Sequence, residues 1–158
     1  MSKYRYNVHF KDEEKCRMFK ELFLEKIEKE FQRKSIKIQV KDNVIKFNRI
    51  QFNPSKNYYK ELFNFIDEGE IIISVSNNEV KINVLHKLSK LIFSSIVFSL
   101  ILGGFFWVRS ELSTIAGIIL LITLALIFYI VGYFLIENGF RKMITKCVNS
   151  SKAKVKFS

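Results

Sequence analysis

No stretch limits what this chain can become more than Leu91–Ile136. Neither Leu91–Val108 nor Leu112–Ile136 holds an Asp, Glu, Lys, Arg or His, and only Arg109, Ser110 and Glu111 part them. A helix rises about 1.5 Å per residue and the hydrocarbon core of a bilayer is roughly 30 Å thick, so about 20 apolar residues make one crossing. On that rise the first run reaches about 27 Å and the second about 37 Å, long enough to tilt or to project past the lipid. Each Leu, Ile, Val or Phe contributes roughly 0.3 to 0.6 kcal/mol toward insertion, and no charge opposes it. Ser94, Ser95, Ser99, Gly103 and Gly104 offset part of that gain. The competing reading is a buried hairpin in a soluble core, but soluble helices seldom run about five turns without a charge on any face.

The distribution of charge sets the expected orientation. The net charge is +11. Residues 1–90 carry 19 Lys or Arg against 13 Asp or Glu, and the segment from Glu137 onward carries six against one. Basic flanks stay in the cytoplasm. His86, Lys87 and Lys90 precede the first run, and Arg141, Lys142 and Lys146 follow the second, so both termini are expected on the cytoplasmic side of an inner membrane, with the short turn outside. The first 90 residues are polar and charged, unlike a cleavable leader. Cys16 and Cys147, far apart in sequence, fit a reducing compartment with no disulfide framework.

Ahead of the hairpin the pattern alternates between strand and helix periods. Tyr4, Tyr6 and Val8 keep a period of two. Asp12 can cap a helix that opens on Glu13 and Glu14 and runs to about Gln32, with Cys16, Phe19, Phe23, Ile27 and Phe31 on one face. Ile36–Lys41 and Val44–Phe52 read as strands joined by an Asp42-Asn43 turn, and a phase slip in the second predicts a β-bulge near Asn48-Arg49. Asn53-Pro54 opens a second helix carrying Tyr58, Tyr59, Leu62, Phe63 and Ile66, ended by Gly69. Ile71, Ile73 and Val75, an Asn77-Asn78 turn, then Val80, Ile82 and Val84 make a second hairpin that leads into the apolar run with no flexible linker. Ile38–Phe47 and Ile73–Ile82 share four of ten positions, a likeness better explained by the common physical demands of tight hairpins than by repetition of a helix-hairpin unit.

The expected fold class is α+β, in three parts. A small N-terminal cytoplasmic domain over residues 1–88 has the order β-α-ββ-α-ββ, about five strands and two helices. A two-helix transmembrane hairpin covers 89–136, with spans at about 91–108 and 112–136. A basic cytoplasmic tail covers 137–158. In that tail Phe140, Met143, Ile144 and Val148 suit a short amphipathic helix on the inner leaflet, and a frayed basic tail is the plain alternative.

The residues that could carry chemistry are few. His9, Cys16, His86 and Cys147 have no metal-ligand spacing, so no metal site is expected. Cys16 with His9 is the one conceivable nucleophile and base, yet Cys16 falls on an apolar stripe where a small core cysteine is the ordinary reading. No phosphate-cradling glycine loop occurs, and Asp67, Glu68 and Glu70 around Gly69 read as a helix end and a solvated turn. His86 at the membrane border reads as a solvated juxtamembrane histidine, with a pH-sensitive group as the sharper alternative. No catalytic residue and no cofactor is therefore expected.

Binding features are clearer. Lys87, Lys90, Arg141, Lys142 and Lys146 are expected at the membrane surface or on phosphate. Arg49, Lys56, Tyr58 and Tyr59 form a candidate face for a ligand or partner, where basic groups beside aromatics could hold a nucleotide; DNA or RNA is disfavoured against anionic lipid. Ser95, Ser99 and Gly103 recur every fourth residue, and Ser113 and Gly117 repeat the spacing, so close helix packing is expected there, within the hairpin or between copies. The leading expectation is a non-enzymatic inner-membrane protein. Its cytoplasmic domain binds a partner protein or small ligand, and its spans anchor it in the lipid bilayer and support self-association. The alternative is a nucleotide-gated, membrane-disrupting effector of an antiviral (abortive infection) system, and a membrane-bound enzyme comes third.

Overall fold

The structure, a computed structural model, describes residues 2–33, 36–49, 66–76, 78–110 and 113–156. Eight elements follow in order among them: β1 (Ser2–His9), α1 (Glu13–Arg33), β2 (Ile36–Lys41), β3 (Val44–Arg49), β4 (Glu68–Ser76), β5 (Glu79–His86), α2 (Ser89–Arg109) and α3 (Thr114–Lys156). The strands form one antiparallel sheet in the order β1-β5-β4-β3-β2. The fold is therefore α+β, as its alternating periods imply, with two long apolar helices at its C-terminal end.

The alternating pattern fixes which sheet face is buried. Tyr4 and Val8, Ile45 and Phe47, Ile71 and Ile73, and Val80, Ile82, Val84 and His86 all point to one side and are buried. The register agrees strand by strand: Tyr4 lies opposite Val84 and Tyr6 opposite Ile82 across β1 and β5, and Ile73 lies opposite Ile82 across β4 and β5. Asp42 (φ 51°) and Asn78 (φ 63°) adopt the left-handed conformation that the turns need and that Asn and Asp tolerate. Gly69 sits between Phe47 and His86 in the register, and a β-carbon there would collide with the Phe47 ring. Pairing of β3 with both neighbours is unbroken through Asn48. The bulge expected near Asn48-Arg49 would fall where β3 ends; Ile50–Phe52 and the helix expected from Pro54 lie outside the described residues, apart from Ile66, which is buried, while Gly69, expected to end that helix, lies instead inside β4 with Glu68 and Glu70.

Helix α1 lays Cys16, Phe19, Phe23, Ile27 and Phe31, each fully buried, onto the sheet. The expected separate tail needs correction. Helix α3 runs unbroken for 43 residues, about 65 Å, through the apolar run and on to Lys156. Beyond the run, Phe140, Met143, Ile144, Cys147, Val148, Ser151 and Val155 recur at helical spacing and are buried in the same core as α1 and the sheet. Phe140 stacks on Phe31 (centroids 6.2 Å apart, planes 5° apart) and contacts Phe47 at 5.6 Å. The stripe seen in sequence is real, but it covers protein and not a leaflet, because the sheet and α1 leave an apolar trough that a helix must fill.

Helices α2 and α3 pack side by side as an antiparallel pair. Leu91, Ser95, Ser99 and Gly103 form the buried edge of α2. Ser99 Oγ donates to the Leu121 carbonyl at 2.5 Å, and a β-carbon on Gly103 would come within 2.5 Å of Leu121 Cδ2. The outer faces are apolar and open: Phe93, Ile101, Phe105, Ile115 and Phe134 are 59–73 % exposed. Both helices are long and apolar enough to cross a membrane, and only 6 % of the most apolar part of α3 is buried, whereas the core helix of a soluble protein is mostly covered.

Candidate functional site

The most distinctive cluster lies where the apolar helices meet the sheet. The period of β5 puts His86 on the inner face after Val80, Ile82 and Val84, and leaves it fully buried. Glu137 is the first charged residue after the second apolar run, on the face of α3 that carries Ile136 and Phe140 into the core. His86 Nε2 lies 3.0 Å from Glu137 Oε2. Arg141 Nη2 approaches Glu137 Oε1 at 3.7 Å, and the Arg141 guanidinium sits 5.2 Å over the Tyr4 ring. The rings of Phe140 and Tyr4 lie 5.1 Å and 6.0 Å from the imidazole. One turn on, Tyr6 Oη donates to the Arg141 carbonyl at 3.2 Å and lies 2.9 Å from Thr145 Oγ1.

Burial pushes the His86 imidazole below its ordinary value, against the pull of the Glu137 carboxylate. Burial likewise raises the Tyr4 phenol, helped by Tyr6 and Glu137 and opposed by Arg141. In place of a solvated juxtamembrane histidine there is thus a buried pair. It ties the end of β5, separated from α2 by only Lys87 and Leu88, to the point where α3 leaves its apolar stretch. Sequence reasoning missed Glu137 as a site residue. Its signal was its isolation: it is the sole carboxylate from Leu112 to the end of the chain.

The basic residues expected at a membrane surface divide into two groups. Lys87 is held by Glu68 at 2.5 Å, which raises its ammonium above the usual range, and Lys90 by Asp67 at 3.2 Å. Asp67 also accepts the Lys90 backbone N–H at 3.1 Å, at the start of α2. Arg141, Lys142 and Lys146 line an open groove of about 810 Å³ on the outer face of α3. Of the packing residues, Ser95, Ser99 and Gly103 face α3, Gly117 lies against Trp107, and Ser113 caps α3, accepting the Ala116 N–H at 3.4 Å. Of the candidate ligand face, Arg49 ends β3, while Lys56, Tyr58 and Tyr59 lie outside the described residues.

The sheet face that points away from the core is exposed or half-buried and mostly polar, with Arg5, Asn7, Lys46, Ser74 and Asn83 around a half-buried apolar group of Val44, Ile72 and Leu85. At the end nearest α2 they surround a hollow of about 580 Å³ between Lys37, Lys46, Asn48, Glu68, Glu70 and Lys87. Lys46 pairs with Glu70 at 3.3 Å across it. Cys16 and Cys147 are free, buried thiols; burial raises both, Cys147 to about 11, which favours the thiol over the thiolate. Among the described residues no three His, Cys, Asp or Glu side chains converge as a metal site would require. Comparisons with protein-family models, with curated proteins and with solved structures returned no match.

Proposed function

We propose that this chain is a non-enzymatic integral protein of the inner membrane: α2 and the first half of α3 cross the bilayer, and the sheet with α1 forms a cytoplasmic binding domain. The observation that carries this reading is the two-part character of α3. Over 114–136 its outer face is apolar and open; from Ile136 onward the same helix is a wall of the domain core. One rigid rod thus belongs to both solvents, and the domain cannot swing on a tether.

Because α1 packs on the second half of α3, the sheet and the C-terminal end lie on one side of the hairpin. The cations flanking both apolar runs favour the cytoplasm for that side. The mostly polar outer face of the sheet, with its mixed-charge hollow beside the half-buried Val44, Ile72 and Leu85, suits a protein partner or a small polar ligand. The small residues Ser95, Ser99 and Gly103 are already used inside the hairpin, so self-association would draw on the outer faces of the spans. Carbonate extraction followed by ultracentrifugation tests the anchor: the intact chain is expected in the pellet, and its recovery in the supernatant would overturn the proposal.

A further inference from the structure

We propose that the outer face of α3 just beyond the apolar belt, built on Arg141, Lys142 and Lys146, binds the phosphate of an anionic phospholipid of the cytoplasmic leaflet. This rests on the membrane reading above and names the lipid class that such an anchor selects.

The geometry comes from one helix stripe. Asn138, Arg141, Lys142, Thr145, Lys146 and Asn149 line the groove, spaced three or four apart on a single face of α3. Followed toward the N-terminus, the same stripe becomes Leu135, Phe134, Val131 and Ile127, which are 50–59 % exposed. An acyl chain lying along the lower half would bring its headgroup to the upper half. From Leu135 to Lys142 the helix rises about 10 Å, and the headgroup layer of one leaflet is roughly 5 to 8 Å deep. Side chains on a helix lean toward its N-terminus, which here is the membrane end, so Lys142 and Lys146 reach back toward the phosphates.

Charge selects these cations among the candidates. Lys87 and Lys90 are taken up by Glu68 and Asp67. No carboxylate lines the α3 groove, and among the described residues Lys142 and Lys146 have no ion-pair partner. Arg141 is shared with Glu137 at 3.7 Å and with the Tyr4 ring, which holds its guanidinium in place at the rim. A free phosphate ion would use the upper half of the stripe alone, so the continuous apolar lower half favours a lipid.

Native mass spectrometry of the full chain in detergent, with equimolar phosphatidylglycerol and phosphatidylcholine, tests this directly. Phosphatidylglycerol adducts are expected to dominate. Lys142→Gln and Lys146→Gln should each cut that preference by roughly fivefold, while Lys41→Gln on the far edge of the sheet should leave it unchanged. Equal binding of the two lipids, or a preference that survives the double substitution, would overturn the proposal, as would complete competition by glycerol 3-phosphate. Carbonate extraction of the same preparations separates the two readings: a chain that stays in the pellet yet does not discriminate between the lipids loses the lipid site and keeps its anchor.

Discussion

Phe140 touches Phe31, Phe47 and His86 at once, so it reports on whether the second half of α3 is core. Phe140→Ala should cost about 3 to 5 kcal/mol, read from urea unfolding of the full chain in detergent. A cost below about 0.5 kcal/mol would mean that this side chain faces solvent or lipid. Tyr4 makes the opposite case. Its hydroxyl is buried and, among the described residues, has no hydrogen-bond partner. Tyr4→Phe should therefore be neutral or stabilise by up to about 1 kcal/mol in the same measurement. His86 carries a pH signature. Its folded value lies below the ordinary 6.5, so at acid pH the folded chain binds fewer protons than the unfolded one. The associated stability is present above that range and is lost as pH falls through it. The groups about the imidazole are Glu137 on α3, itself approached by Arg141, the Phe140 ring on α3 and Tyr4 on β1. Thermal midpoints from about pH 8 to pH 5 should fall, and His86→Gln should flatten that slope. An unchanged slope in the variant would assign the acid sensitivity to other groups.

At the scale of elements, the structure makes the segment after Ile136 indispensable to the domain. Residues 1–88 alone lack the helix that fills the trough, so they should show no cooperative unfolding transition by circular dichroism; a sharp transition would mean that α1 suffices as a cover. Within the hairpin, Gly103→Val would drive a side chain into Leu121 and should cost about 1 to 3 kcal/mol of thermal stability in detergent. Local periodicity made much of this legible beforehand. The stripe of α1, the alternation of β1, β4 and β5, the turns at Asp42 and Asn78, and the two apolar runs all follow from spacing and turn chemistry. What a single chain's pattern does not carry is which distant surface an amphipathic stripe covers. Phe140, Met143, Ile144 and Val148 were visible as a stripe, yet a leaflet and a protein trough demand the same period. Nor does pattern reveal that β1 joins β5 at the sheet edge, or that His86 meets Glu137, since both depend on contacts between residues far apart in sequence. Of the candidate site, the cations were legible by position; their division into Lys87 and Lys90, which have acidic partners, and Lys142 and Lys146, which have none among the described residues, required those partners to be located.

For the whole molecule, the decisive property is that one helix passes from a lipid-suited surface into a folded core without a break. The two native cysteines are buried, at 0 % and 3 % exposure, so single exposed cysteines can be read against a quiet background. Labelling with a membrane-impermeant maleimide should modify cysteines at Arg5 and Asn149 in inside-out vesicles and spare them in intact spheroplasts. The reverse should hold for Ser110 in the connecting turn, and Phe134 should stay unlabelled from either side. Labelling of Asn149 and Arg5 from opposite sides, or of Phe134 from any aqueous phase, would contradict a continuous α3 that anchors the domain to the cytoplasmic face.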